Sequence, residues 1–273
     1  MAIGSRKRKF RPKNPNEKLL RPVRPNLGLQ AAYRRKLDAL IEEMAASVSF
    51  WIESAYRNNE PLAQDELPAS ALKAAIRKLT ARWQRKFSEA APKLADYFAT
   101  AVEKRSSAAL KNILKEAGFT VEFKMTAAQR DIVNATINQN VQLIKSIPAQ
   151  YLTQVQGSVM RSVQTGRDLG TLSKELQDHY GVTKRRAAFI ARSQNNLATS
   201  SMDRARRLEL GLDESQWMHS GGGKHPRPTH VAMSGKRFKT EQGMWDSAVK
   251  RYVFAGCEPG CRCVSRAVVK GFS

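Results

Sequence analysis

The chain has 273 residues, with 47 lysines and arginines against 24 aspartates and glutamates, and so carries a formal charge of +23. This length can bury a sizeable core and allows one large domain or two ordinary ones. A surface so basic attracts polyanions, so nucleic acid, an acidic protein or an anionic membrane surface is the expected partner. No apolar run approaches the ~20 residues of a spanning helix, and the basic cluster at 6–9 is not followed by the apolar region of a signal peptide. The composition therefore argues against membrane insertion and secretion and favours a cytoplasmic protein.

The positive charge is concentrated at the N-terminus. Residues 1–36 contain twelve lysines and arginines, four prolines and a single acidic residue, Glu17, for a net charge of +11. Residues 1–28 are therefore predicted to form a basic, Pro-containing arm that is extended or disordered. The residues expected to contact DNA or an acidic partner are Arg6, Lys7, Arg8, Lys9, Arg11 and Lys13. A tail that only increases solubility is the alternative.

Apolar residues at spacings of three and four predict an elongated helical region from residue 29 to about 210. Pro92 is expected to break or kink the second helix, Pro148 to end the third, and Gly181 to separate the last two. Thr126 and Thr183 are candidate N-caps, and Gly211 is expected to close the last helix. The predicted helices cover about 29–57, 72–114, 126–147, 151–165, 169–180 and 183–210. The region is divided into a helical part, 29–136, and a helical lead-in, 137–210.

After Gly211 the sequence changes character. Glycines and prolines form a loop, and short runs typical of strands occur at 215–219, 237–238, 252–254 and 263–269. Residues 211–273 are therefore predicted to form a small, loop-rich α+β or β-rich domain. The expected fold class is mainly α with this small C-terminal domain.

Three cysteines lie within seven residues of this domain, at Cys257, Cys261 and Cys263. Structural zinc sites use four Cys or His ligands in a tetrahedron, so three thiolates and one histidine would complete a set. His230 is the preferred fourth ligand, with His219 and His225 as competitors. Reduced thiols or a single disulfide remain open as alternatives, and zinc is the only cofactor that the sequence suggests.

An enzyme is a second possibility, since Arg227 and His230 share a Gly/Pro-rich loop that could bind phosphate or carry out acid–base chemistry. No nucleophile or carboxylate stands at a recognisable spacing, and the chain has no Walker loop, no GxGxxG and no HExxH motif. A structural histidine bonded to backbone or metal is therefore favoured, and no catalytic or cofactor-binding residue is assigned. The arginines of the helix at 183–210 could lie along phosphates, without a signature of base readout.

An ordered series of short motifs carries a family resemblance. The series is Tyr180-Gly181-Val182, Ile190-Ala191-Arg192-Ser193-Gln194, Gly211, Trp217, Pro226-Arg227-Pro228-Thr229-His230, Gly235-Lys236-Arg237-Phe238 and Pro259-Gly260-Cys261-Arg262-Cys263. In this order and spacing it resembles the phage Mu F-like head morphogenesis proteins, the minor capsid proteins of tailed double-stranded DNA phages. The resemblance covers roughly residues 137–266. Its motif residues are Arg192, Trp217, Arg227, His230, Gly235 and Arg262.

The resemblance implies a portal- or inner-capsid-associated protein that acts in procapsid assembly and in genome packaging or ejection. The implied partners are the portal protein, the major capsid or scaffold protein, and double-stranded DNA through the basic arm, with no membrane during assembly. The implied location is the virion, inside the capsid near the portal, and the host cytoplasm during assembly. The chain ends ten residues after Cys263, so we expect no fused toxin domain and a structural role. A nuclease or group-transfer enzyme using Arg227 and His230, or a zinc-clipped DNA-binding protein, is the alternative.

Overall fold

A computed structural model describes residues 16–58, 68–165, 169–222 and 225–271. The six arm residues expected to contact DNA all fall within 1–15 and so lie outside the described part. About 68% of the described residues are helical, and the strands form a small region that is mostly C-terminal. This confirms a mainly α chain with a small β-rich domain. Within the described ranges, no helix combines the length and the apolar character needed to cross a membrane.

Long helices occupy most of the chain, and short strands follow them. The helices are α1 (Leu27–Asn58), α2 (Pro68–Glu116), α3 (Ala127–Gln164), α4 (Leu169–Glu209) and α5 (Pro228–Ala232). The strands are β1 (Glu17–Leu19), β2 (Glu214–Met218), β3 (Arg237–Lys239), β4 (Met244–Asp246), β5 (Arg251–Val253) and β6 (Val264–Lys270).

Two prolines that were predicted to interrupt helices lie inside them, Pro92 in α2 and Pro148 in α3. A proline removes one backbone hydrogen bond from a helix, at a cost of about 3 kcal/mol. Around Pro92 the apolar stripe continues without a gap, since Ala91, Ala95 and Phe98 are all fully buried. Burial of the stripe on both sides of the proline offsets the lost bond. The predicted break at Pro92 and the predicted helix end at Pro148 are therefore wrong, while a kink at Pro92 stays a prediction.

Gly181 does not separate two helices either, because α4 runs through it. Thr183 therefore caps no helix, and its hydroxyl donates to the carbonyl of His179 one turn earlier, at 2.8 Å. The other predicted cap is confirmed, since the Thr126 hydroxyl accepts the backbone N–H of Gln129 at 3.3 Å at the start of α3. Gly211 follows α4 with a φ of +68°, as its predicted closing role requires.

The chain divides into two compact units that each combine separate stretches of sequence. The first unit contains 1–24, 106–125 and 199–273, and the second contains 25–105 and 126–198. The second unit is helical, and its core includes Tyr33, whose ring stacks on Phe98 at 4.3 Å and whose hydroxyl donates to Asn140 at 2.9 Å. Asn140 in turn donates to Gln194 at 3.0 Å, so a buried polar chain joins three helices of this unit.

The first unit contains a four-stranded antiparallel sheet in the order β1-β6-β2-β3 and a separate β4-β5 hairpin. Four strands match the predicted strand-like runs, whereas β1 and β4 were not predicted. Strand β1 comes from the predicted arm and pairs with β6, with Glu17 opposite Lys270. The Glu17 carboxylate also accepts a hydrogen bond from Arg237 on β3 at 2.8 Å. The one acidic residue of the basic arm thus helps to attach its end to the sheet.

The first unit has two apolar clusters. One packs β1 and β6 against the end of α2 and includes Leu20, Val23, Leu110, Ala267 and Val269. The other lies between β2, the β4-β5 hairpin and the C-terminal turn. Its buried members are Trp217, Met233, Val253, Ala255, Cys261 and Cys263. The second cluster is small, and it surrounds the candidate site.

Candidate metal centre

Three potential metal ligands meet in the first unit: the imidazole of His230 and the thiols of Cys261 and Cys263. Nδ1 of His230 lies 3.4 Å from Sγ of Cys261 and 3.9 Å from Sγ of Cys263. All three donor atoms lie within 4.8 Å of one another. The residues are 2%, 4% and 5% exposed, so the group is closed to bulk water.

Local structure explains how two cysteines face one histidine. Residues two apart in an extended chain point to the same side, so Cys261 and Cys263 share a side just before β6 begins. Arg262, between them, is exposed and donates to the carbonyl of Gly222. The turn before them uses Gly260 at a φ of +71°, and the N–H of Cys261 donates to the carbonyl of Glu258 at 2.8 Å. His230 is held by α5, which has a proline at its start.

A buried carboxylate stands behind the histidine. Oδ2 of Asp246, the last residue of β4, lies 3.2 Å from Nε2 of His230, and the Asp246 side chain is fully buried. This is an ion-pair distance, although the angles fall short of a regular hydrogen bond. The other oxygen, Oδ1, accepts the backbone N–H of Ala248 at 2.9 Å. Burial raises the pKa of Asp246, but Ala248, Thr229 and His230 together outweigh it and hold this pKa below its ordinary value.

An aromatic wall fixes the plane of the imidazole. The Trp217 ring is fully buried and meets the His230 ring edge-on, with the centroids 5.1 Å apart and the planes at 78°. Met233, Val253 and Ala255 complete the apolar surroundings. In such a dry environment polar atoms need partners, since an unpaired buried donor or acceptor costs about 1–3 kcal/mol.

The two thiols differ in acidity. The Cys263 thiol donates to Cys261, and backbone N–H groups of Cys263 and Gly256 point at the same sulfur; together they lower the pKa of Cys261 to about 5. The same contact with Cys261, with burial added, raises the pKa of Cys263. The pocket therefore accommodates one thiolate readily, while a second needs a compensating positive charge.

The other predicted ligands lie outside this group. Sγ of Cys257 contacts the Ser200 hydroxyl at 3.6 Å, and burial raises the pKa of that thiol. His219 accepts the N–H of Gly221 at 3.2 Å through Nδ1, and His225 is exposed. The structure thus brings together three of the four predicted donors and adds Asp246, which the sequence analysis missed. None of the three cysteines forms a disulfide bond.

Most of the predicted motif residues support this region. Gly235, at a φ of +84°, donates its N–H to the carbonyl of Trp217 at 2.9 Å, which sets the loop after α5 beside β2. Arg227 donates to the carbonyl of Pro259 at 2.8 Å, next to the cysteine turn. Arg192 lies in the other unit, on α4, with its guanidinium over the ring of Phe189.

The geometry does not favour the enzyme hypothesis for Arg227 and His230. The guanidinium of Arg227 is engaged with a backbone carbonyl. The imidazole of His230 is buried between Asp246 and the cysteines. The two side chains thus have separate environments, and that of His230 excludes bulk solvent.

Comparison with known proteins agrees with the motif series. Residues 153–266 match the family model of phage Mu protein F like proteins. An uncharacterized protein of Haemophilus influenzae (strain ATCC 51907 / DSM 11121 / KW20 / Rd) is 33% identical over 137 residues, which cover 50% of this chain and 29% of the relative. The match thus spans less than a third of that relative's length. No solved structure matches the chain significantly. The segment 153–266, which contains His230, Cys261 and Cys263, therefore matches the phage Mu F-like family, as its motif series predicted.

Proposed function

We propose that this chain is a head morphogenesis protein of a tailed double-stranded DNA phage, a minor capsid component that associates with the portal or the inner capsid surface during procapsid assembly. One observation carries the proposal: residues 153–266 match the phage Mu protein F like family. The geometry supports a structural role, because the motif residues Trp217 and His230 are buried inside the first unit and Gly235 donates its N–H to the carbonyl of Trp217.

Location in the particle tests this proposal. Virions and procapsids from a phage that encodes this protein would be purified and analysed by mass spectrometry, together with particles from a deletion mutant. We expect the chain in both kinds of particle, in few copies, and a loss of infectious particles in the mutant. Its absence from both, with normal particle yield after deletion, would reject a role in head assembly.

The basic arm supplies the proposed contact with DNA. Its six basic residues at positions 6–13 lie N-terminal to β1, which is paired in the sheet. Each phosphate contact contributes about −0.9 to the slope of log affinity against log salt on duplex DNA. If all six bind phosphates, their loss should flatten that slope by about 5. An arm of this length and charge can reach DNA while β1 stays in place.

The arm is best tested by removing residues 1–15 and keeping β1. A longer deletion would also remove Glu17, Leu20 and Val23, which belong to the sheet and its core. A second variant keeps the full-length chain and replaces only the six basic residues by glutamine, which separates the effect of charge from that of length. Both variants should bind duplex DNA more weakly and with a flatter salt dependence. An unchanged salt slope in both would assign the arm to an acidic protein partner instead.

A further inference from the structure

We propose that His230, Cys261 and Cys263 bind one Zn²⁺ ion, through Nδ1 and the two Sγ atoms, and that Asp246 positions the histidine from behind. The site is structural: it joins α5, the end of β4 and the turn before β6. This inference is independent of the proposed role in phage assembly.

The spacing of the three donors fits a tetrahedral ion. With Zn–N near 2.0 Å and Zn–S near 2.3 Å, tetrahedral angles place N and S about 3.5 Å apart and two S atoms about 3.8 Å apart. The observed Nδ1–Sγ distances are 3.4 Å and 3.9 Å, and both sulfurs lie within the 4.8 Å limit of the group. One ion can therefore reach all three donors without a rearrangement of the chain.

Asp246 selects the tautomer that metal binding needs. A carboxylate at Nε2 favours the proton on that nitrogen, so the lone pair lies on Nδ1, which faces the two sulfurs. Metal-bound histidines usually donate their second N–H to a carboxylate or carbonyl in this way. Among the described residues, Nε2 of His230 and Oδ2 of Asp246 form no hydrogen bond of regular geometry, and they lie 3.2 Å from each other. The Asp246 carboxylate is therefore available to hold the His230 imidazole with Nδ1 toward the metal.

The surroundings of the sulfurs suit thiolates that bind a cation. Cys261 faces the backbone N–H groups of Gly256 and Cys263, and Cys263 faces that of Ser220. N–H groups directed at sulfur favour the deprotonated form. Binding would require both sulfurs as thiolates, so the proton of the less acidic Cys263 would pass to solvent, and the ion would balance the two negative charges that the buried site would otherwise hold.

A structural ion explains the site better than a nucleophilic thiol does. A reactive cysteine must be accessible to its substrate, whereas Cys261 and Cys263 are 4% and 5% exposed. The surrounding apolar cluster has only six buried members, and small cores gain much of their stability from a bound metal. Three protein donors fill three of the four tetrahedral positions, and the described residues place no further Cys, His, Asp or Glu donor atom in this group.

Metal content of the full-length chain tests the proposal. The protein would be purified under reducing conditions without added chelator, and zinc per chain measured by elemental analysis. We expect about one zinc per chain in the wild type and in Cys257→Ser, the matched control, because Cys257 lies outside the donor group. Cys261→Ser and Cys263→Ser should lose the metal. A wild type without zinc that also fails to take up added Zn²⁺, or a loss of zinc in Cys257→Ser equal to that in Cys263→Ser, would overturn the three-donor site.

A second measurement keeps the test valid if a cysteine variant does not fold. Co²⁺ substituted into the wild type should give the sulfur-to-metal charge-transfer bands of a two-thiolate tetrahedral site, and X-ray absorption should show two sulfurs in the first shell. Asp246→Asn retains the shape of the side chain but not its charge, so zinc affinity in a chelator competition should fall about 10- to 100-fold. Absence of the charge-transfer bands, or an unchanged affinity in Asp246→Asn, would reject the proposed ligands or the proposed role of Asp246.

Discussion

Arg207 is a buried charged side chain of the first unit, and its removal offers a quantitative test of the fold. It is 2% exposed. Its guanidinium pairs with Asp203 one turn earlier on α4 at 2.5 Å. It also donates to the carbonyl of Ser265 at 2.8 Å and to the hydroxyls of Ser265 and Ser215 at 3.0 and 3.3 Å. One side chain therefore joins the end of α4 to β2 and β6.

The pKa of Asp203 sets the size of the effect. Burial raises this pKa to about 6 from 3.8, and the charge and hydrogen bond of Arg207 only partly oppose the rise. At about 1.4 kcal/mol per unit, the ionised carboxylate disfavours the folded state by about 3 kcal/mol relative to its protonated form. The pKa of Asp203 is higher in the folded than in the unfolded state. Protonated Asp203 therefore stabilises the fold fully below pH 3.8, and this stabilisation is lost as the pH rises through about 6.

Arg207→Met leaves that carboxylate buried without a cation. Removal of one partner of a buried ion pair typically costs 3–5 kcal/mol, so at pH 8 we expect a loss of about 4 kcal/mol in the free energy of unfolding. At pH 4.5 Asp203 can remain protonated, so the loss should be clearly smaller. Asp203→Asn should remove the part of the pH dependence between pH 4 and pH 7 that Asp203 contributes, because asparagine does not titrate.

Denaturant unfolding followed by circular dichroism at both pH values measures these changes. Arg204→Met is the matched control, because Arg204 lies on the same helix but is only half-buried and donates at 3.4 Å to a backbone carbonyl. It should cost less than about 1 kcal/mol at either pH. If Arg207→Met costs no more than Arg204→Met at pH 8, or if Asp203→Asn keeps the wild-type pH dependence, the buried pair does not have the energetic role assigned to it.

Three further changes test other parts of the fold by thermal or denaturant unfolding. Gly243→Ala should destabilise the fold by about 2 kcal/mol or more, since Gly243 has a φ of +82° and a Cβ there would lie 2.5 Å from a carbonyl oxygen of β5. Gly211→Ala should cost only about 1 kcal/mol, because Gly211 has a φ of +68° but open space around it. Equal costs for the two variants would contradict the steric argument. Thr126→Ala should cost about 1 kcal/mol through loss of the α3 cap, and Thr126→Asn should restore most of it; no change in Thr126→Ala would contradict the cap. A hydrogen bond from Arg237 lowers the pKa of Glu17, so this carboxylate stabilises the fold above its ordinary pKa of 4.5 and loses that effect as the pH falls. The melting temperatures of wild type and Glu17→Gln should therefore differ at neutral pH and converge in acid, and a constant gap would refute the pair.

Apolar periodicity located the helices well but not their ends. The stripe that contains Trp83, Phe87 and Phe98 predicted α2, and all three residues are buried. The same pattern gives no measure of how strongly the flanking turns are held by tertiary packing. That strength decides whether a helix passes through Pro92 or Pro148, so the local rule for proline was overridden by burial on both sides.

The candidate site was predictable where its donors are close in sequence. Cys261 and Cys263 face the same side because of their spacing, and His230 belongs to the same motif series. Asp246 could not be found in this way, because a single aspartate sixteen residues after His230 follows no local pattern. Cys257 entered the predicted ligand set for the converse reason. Its proximity in sequence suggested a shared site, whereas its sulfur contacts the hydroxyl of Ser200 on α4 instead.

The family region is not structurally self-contained in this chain. The match ends at residue 266, within β6, whose residues 268–270 pair with β1. Strand β1 and the buried residues Leu20 and Val23 come from a segment that the match does not include, and so do the residues of α2 that pack beside them. A fragment limited to 153–266 would leave an edge of the sheet unpaired and a core exposed to water. In this chain residues 17–23 therefore complete the sheet and the core beside the matched region, immediately after the basic residues for which a partner contact is proposed.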